Sequence, residues 1–208
     1  MKLTSNSISQ GKPIPSENAF TEIDPKSHIR YAANRNPHLH WTEAPDGTKS
    51  FAVICVDQDV PSVGSDVNQE GRTVPADLPR VNFYHWLLVD VPPMTNQITA
   101  GTHSNGVTAH GKSGPAAPGG GRHGLNDYTG WFKGDPEMKG DYFGYDGPCP
   151  PWNDERVHHY TFTVFALDVE HCPVGDRFSG AELITALDGH ILDRASLMGT
   201  YSLNPSIE

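Results

Sequence analysis

No run of apolar residues in this chain approaches the roughly 20 needed to cross a bilayer, so a spanning helix is not expected. Cysteine is scarce: Cys55, Cys149 and Cys172 are an odd set of three with no C-x-x-C pair. That argues against a disulfide scaffold and fits reduced thiols in a cytoplasmic protein. Basic side chains are outnumbered, 15 Lys and Arg against 25 Asp and Glu, for a formal charge of −10. With no Lys or Arg block, docking along a nucleic-acid backbone or an anionic bilayer is not expected. A small anion can still be held by a few donors in a sheltered pocket. The opening MKLTSNSISQGKPIP turns polar after Leu3 and lacks the pattern of a secretory leader.

Glycine and proline are abundant at 21 and 18 residues, while apolar residues make up 36 % and sit in short dense clusters. The length of 208 residues and this pattern read as one domain, 1–208, with a compact core dressed in long loops. Three segments read as strands: FAVICVD at 51–57, FYHWLLVDV at 83–91 and YTFTVFALD at 160–168. Strict alternation in the second puts Phe83, His85, Leu87 and Val89 on one face and Tyr84, Trp86 and Leu88 on the other. Both faces are mostly apolar, so this strand is expected in a sheet covered on both sides. Shorter candidates lie at Ile29–Ala32 and Leu39–Trp41.

Near the end, Ser179 and Glu182 have capping-box spacing before Ile184, Leu187, Ile191, Ala195 and Met198, which predicts two short helices divided at Gly189. Without earlier strand–helix alternation, the fold class is mainly β: a sandwich of two antiparallel-rich sheets with short C-terminal helices. Residues 101–159 hold 13 of the 21 glycines and 6 of the 18 prolines, and are read as one long loop excursion. Its aromatics, Tyr128, Trp131, Phe132, Tyr142 and Tyr145, are candidates to pin it down.

Three constellations carry polar chemistry. In Asp57-Gln58-Asp59-Val60-Pro61 a continuing strand would aim both carboxylates the same way, to bind a cation, raise one pKa or orient a histidine; a solvated turn is the plain alternative. His85, in the most apolar strand, needs a partner, which a backbone carbonyl would also supply. The GPCPP segment, Gly147 to Pro151, precedes His158-His159-Tyr160, in which His158 and Tyr160 share a face. Stiff prolines beside a glycine that lets backbone approach a ligand would make a rigid pocket wall.

Together DQDVP, Phe83-Tyr84-His85-Trp86, GPCPP and HHYTFTVFALD resemble the phosphatidylethanolamine-binding protein family, which includes the Raf kinase inhibitor proteins, in its bacterial and archaeal branch. NPHLHWTEAPDGTKSFAV at 36–53 is a weaker match, and GHILDRASLMGTY at 189–201 resembles the family's C-terminal helical segment. Gln58 and Val60 replace the proline and alanine of the usual D-P-D-A-P, and the loop before GPCPP is longer than in common bacterial members. The resemblance implies an anion pocket at one end of the sandwich, lined by Asp57, His85, Gly147, Pro148, His158 and Tyr160, with Asp59, Pro61 and Trp86 in support. Asp57 is expected to orient an imidazole, and imidazolium donors to hold the oxyanion.

These residues point first to a binding module for phosphate or a phosphorylated head group, with no cofactor. No G-x-S-x-G or activated cysteine motif marks a nucleophile. A metal-dependent enzyme using His85, His158 and Asp57 is an alternative, since two imidazoles and a carboxylate leave open positions. A third reading, implied by the resemblance, is a protein that grips and inhibits a kinase or protease. The long loop leaves room for a homodimer contact.

Overall fold

The computed structural model describes residues 1–207. In chain order its strands are β1 (Lys2–Thr4), β2 (Thr21–Asp24), β3 (His28–Tyr31), β4 (Leu39–Thr42), β5 (Ser50–Pro61), β6 (Arg80–Val91), β7 (Gln97–Ile98), β8 (Arg122–His123), β9 (His158–Leu167) and β10 (Ile191–Tyr201). The α-helices are a single turn, α1 (Tyr128–Trp131), and α2 (Gly180–Leu187). The three long strands anticipated from β-branched and aromatic content form the centre of a five-stranded sheet, order β10-β9-β5-β6-β8, antiparallel at each pairing. A second sheet, β1-β4-β7, lies over one of its faces.

Between the sheets sits the main core, where Trp41 and Ile98 meet Val53, Cys55, Trp86, Leu88, Phe162 and Val164. The opposite face of the large sheet is covered by α2, through Leu183 and Leu187 against Ile54, Leu87, Val89 and Phe165. β6 is thus buried on both sides, as its composition requires. All three cysteines are free thiols.

The mainly β architecture expected from the sequence stands, with one correction at the C-terminal end. The capping box at Ser179 forms, its side chain accepting from the Glu182 amide, and α2 follows. The expected second helix is instead the 11-residue strand β10, paired along β9 from Ile191 to Tyr201. The apolar spacing of 191–198 suits either period. The exposed partner edge of β9 decides it, because its backbone groups need partners that a helix could not supply. Leu197 then faces the sandwich core, while Ile191 and Leu192 stay exposed.

The 101–159 excursion is also less loop-like than its composition suggests. It contributes β8, α1 and the buried side chains Tyr128, Met138 and Tyr142, which join Phe20 in a third cluster beside the sandwich. A cis peptide occurs at Gly114–Pro115, not at Gly147–Pro148.

Candidate functional site

Two register irregularities between β5 and β6 shape the site. Cys55 pairs with Trp86 but Val56 pairs with Tyr84, so His85 is the extra residue of a bulge. Strict alternation therefore fails there. Tyr84 packs with Leu87 and Val89 under α2, whereas His85 turns to the sandwich face, its ring 5.2 Å from that of Tyr160. The second irregularity, between Asp57 and Val60, gives β5 an extra residue. In place of the parallel carboxylates expected from a continuing strand, Asp57 turns inward to His158 while Asp59 bonds the exposed His159 and Arg156.

The result is a cavity of about 280 Å³ at one end of the sandwich. Asp57, His85, His158 and Tyr160 line its polar part, and Val60 and Pro61 also line it. Phe20, Tyr31, Phe83, Tyr128, Trp131 and Phe132 make an aromatic wall, and Cys149, Pro150 and Pro151 a stiff one. Gly147 and Pro148 do not line it. The Pro148 carbonyl accepts from the Phe20 amide at 2.9 Å, and a Cβ on Gly147 would lie 2.2 Å from the Asn18 carbonyl oxygen. The close approach that requires this glycine is to the segment carrying Phe20, not to a ligand. Trp86 is sealed in the sandwich core and Asp59 faces away from the cavity.

The polar end is a chain of alternating charge. Arg80 clamps Asp154 with two hydrogen bonds, of 2.5 and 3.0 Å. Asp154 Oδ2 lies 3.1 Å from His158 Nε2, and His158 Nδ1 lies 2.7 Å from Asp57 Oδ2. Burial alone would lower the His158 pKa, but the hydrogen bonds and charges of Asp154 and Asp57 outweigh it and raise it to about 9. His158 is an imidazolium at neutral pH, and both its N–H groups are spent on carboxylates.

His85 is in the opposite state. Burial lowers its pKa despite the nearby charges of Asp57 and Asp146. Its Nδ1 is 2.7 Å from the Asp146 carbonyl oxygen, which can only accept, so Nδ1 carries the proton and Nε2 a lone pair. Among the described residues Nε2 has no protein partner. Tyr160 is fully buried; burial and the Asp57 charge push its hydroxyl well above the ordinary phenol range. That hydroxyl lies near Asp57 yet has no partner in hydrogen-bonding geometry. The two imidazolium donors expected from the sequence are therefore absent: His85 offers an acceptor, and His158 has nothing to spare.

Three further features narrow the chemistry. Among the described residues no Lys or Arg lines the cavity. Cys149 is no activated nucleophile, since burial pushes its thiol up to about 11. The metal alternative loses His158 as a ligand to the two carboxylates, and no cluster of three or more His, Cys, Asp or Glu among the described residues is arranged to hold an ion.

The family model described as phosphatidylethanolamine-binding protein matches residues 4–202. This chain belongs to that family. The Escherichia coli protein YbhB is 31 % identical over 202 residues, covering 97 % of this chain and all of its own length. E. coli YbcL is 30 % identical over 207 residues, covering 100 % of this chain and 87 % of its own. The crystal structure of YbcL, described as a new member of the mammalian PEBP family, superposes with a TM-score of 0.67 at 27 % identity, covering 97 % of each chain. That of the homologue CT736 from Chlamydia trachomatis gives 0.63 at 26 % identity, covering 97 % of this chain and 96 % of its own.

Sequence reasoning missed the cavity's contributions from Phe20, Ile29, Tyr31 and the loop residues Gly64, Val67 and Asn68. Nothing periodic marks them. The loop is held by Asn153, whose side-chain amide donates to the carbonyls of Asp66 and Arg72 at 2.8 and 3.0 Å. Paired asparagines at a distance leave no local signal.

Proposed function

We propose that this member of the phosphatidylethanolamine-binding protein family is a non-covalent binding module for a small phosphorylated molecule. The phosphoryl group sits between His85 Nε2, the Tyr160 hydroxyl and Asp57, and the organic portion lies along the aromatic wall of Phe20, Tyr128, Trp131 and Phe132. The observation that carries this reading is the Tyr160 hydroxyl, buried beside Asp57 and unpartnered among the described residues, on a side chain that lines the cavity. An unmade hydrogen bond of this kind costs about 1–3 kcal/mol, which a ligand oxygen would recover. Beside it the lone pair of His85 fixes where a second ligand oxygen goes. The aromatic rings suit a short alkyl chain or an ammonium group, for which cation–π contact contributes about 1 kcal/mol.

No helix among the described residues is long and apolar enough to cross a membrane. With a formal charge of −10, the reading favours a head group taken from water over one taken from an anionic bilayer. Calorimetric titration with phosphoethanolamine tests it. Binding at micromolar to millimolar concentration that weakens at least tenfold in Tyr160→Phe supports the reading; no heat and no shift of the His85 NMR signals up to 10 mM, roughly the upper end of that range, would reject it.

A further inference from the structure

The polar end of the cavity is poor in hydrogens. Among the described residues the hydroxyls of Tyr160, beside Asp57, and of Thr21 are the unpartnered buried O–H groups of the lining. His158 has given Nδ1–H to Asp57 and Nε2–H to Asp154, and Arg80 is engaged with Asp154 and with the carbonyls of Asp59, Leu78 and Pro75. Against those two hydroxyls stand the His85 Nε2 lone pair and the Asp57 carboxylate, whose Oδ1 already accepts from the Asp59 amide and Oδ2 from His158. A fully ionised tetrahedral anion would set an oxygen against one of these acceptors with no hydrogen between them, a repulsive contact in a desolvated place.

We infer that the cavity takes its phosphoryl ligand with a proton on it, and so distinguishes a phosphoryl group bearing a P–OH from sulfate, which has the same shape but no proton to give. This rests on the phosphoryl-binding reading above and goes further in naming the ionisation state and the rejected competitor. The P–OH donates to His85 Nε2 while another phosphoryl oxygen accepts from Tyr160, so the lone pair and that hydroxyl are both satisfied. With that proton on the phosphoryl oxygen, the complex holds one proton more than the neutral His85 and a phosphoryl dianion do apart.

The groups facing His85 keep this arrangement in place. Asp57 on β5 and Asp146 in the segment before Gly147 favour its protonation, while His158 on β9 opposes it. The Asp146 carboxylate is itself neutralised by Lys112 Nζ at 2.6 Å and held by the Asn34 and Asn126 side-chain amides, both at 2.8 Å. Tyr128, packed edge-on against His85, sends its hydroxyl to the Gly147 carbonyl and adds no free donor.

Phosphomonoesters lose their second proton near pH 6, so above about pH 7 binding must take one proton from solution, and Kd for phosphoethanolamine rises close to tenfold per pH unit. A site built around a ligand hydroxyl rejects an analogue without it, and sulfate should bind at least about 100-fold more weakly than inorganic phosphate. The experiment is calorimetry on the full chain at pH 7.5 with phosphoethanolamine, inorganic phosphate and sulfate, in two buffers of different ionisation enthalpy. Uptake of close to one proton per phosphoethanolamine, with sulfate excluded, is the expected result. In His85→Gln an amide N–H can replace the lone pair, so sulfate should gain and the pH slope flatten; if that variant does not fold, the wild-type proton count and sulfate ratio still decide. Phosphoethanolamine binding without proton uptake, or sulfate binding as well as phosphate, would overturn this inference while leaving the phosphoryl site standing. No binding of either phosphoryl probe would overturn both.

Discussion

The ring of His85 and the main-chain carbonyl of Asp146, 61 residues apart in sequence, meet at 2.7 Å. That single bond settles which imidazole nitrogen faces the cavity bare. Together with the His158–Asp57 pair it converts two histidines that look alike in the sequence into a neutral acceptor and a fixed cation. The division of roles comes from burial and partners, not from residue type.

The His158 pair predicts a pH-dependent stability. Its pKa is about 9 in the fold, against about 6.5 unfolded, so its contribution is complete below pH 6.5 and is lost as pH rises toward 9. The loss is on the order of 3 kcal/mol. The buried neighbours His103 and His123, 2.9 Å apart, act with the opposite sign. Burial lowers them to about 4 and about 3, so stability also falls as pH drops from about 6.5 toward those values. Urea midpoints measured from pH 4 to 9.5 should peak near neutrality, and His158→Gln should flatten the alkaline arm alone. An unchanged alkaline arm in that variant would count against an imidazolium at 158.

Asp57→Asn leaves the buried imidazolium with Asp154 as its remaining carboxylate. Removing one partner of a buried ion pair costs about 3–5 kcal/mol, and the surviving Asp154 contact places this variant near the lower end. Chemical denaturation checks the loss, and the His158 NMR titration should move to lower pH in the same variant. A wild-type midpoint and titration would mean the 2.7 Å contact contributes little.

Gly147→Ala is expected to destabilise by about 1–3 kcal/mol, because the new Cβ meets main-chain atoms of Asn18 and Ala19 that cannot swing aside. Gly130→Ala, with open space around its added methyl, is the control and should stay within about 0.5 kcal/mol of wild type. Equal effects from the two would remove the case that Gly147 is required by the Phe20 segment.

Trp131, half exposed at the cavity's edge, separates the two ends of the proposed ligand. Trp131→Ala should leave stability within about 0.5 kcal/mol and weaken phosphoethanolamine about fivefold, through loss of its ring face, with inorganic phosphate unchanged. A parallel loss for both probes would mean that the ring shapes the phosphoryl end instead.

Much of this was legible from residue pattern. The strands at 51–57, 83–91 and 160–168 and the Ser179 cap follow from runs or motifs that local chemistry marks, while the meeting of Asp57, His85, His158 and Tyr160 is implied by the family resemblance. What escaped has physical causes. A bulge at His85 breaks period two without any glycine to announce it. The strand Ile191–Tyr201 is dictated by the open edge of β9 rather than by its own spacing. The protonation states of His85 and His158 depend on Asp146 and Asp154, whose roles the sequence does not advertise. Phe20 is held beside the cavity by the Pro148 carbonyl, which accepts from its amide, and by stacking on Tyr128, contacts distant in sequence.

The central claim is met most directly by a crystal structure of the protein soaked with phosphoethanolamine. The phosphoryl group should lie about 3 Å from both His85 Nε2 and the Tyr160 hydroxyl, with the ethanolamine toward Trp131. A phosphoryl group ordered elsewhere on the surface, with His85 and Tyr160 facing only solvent, would contradict it.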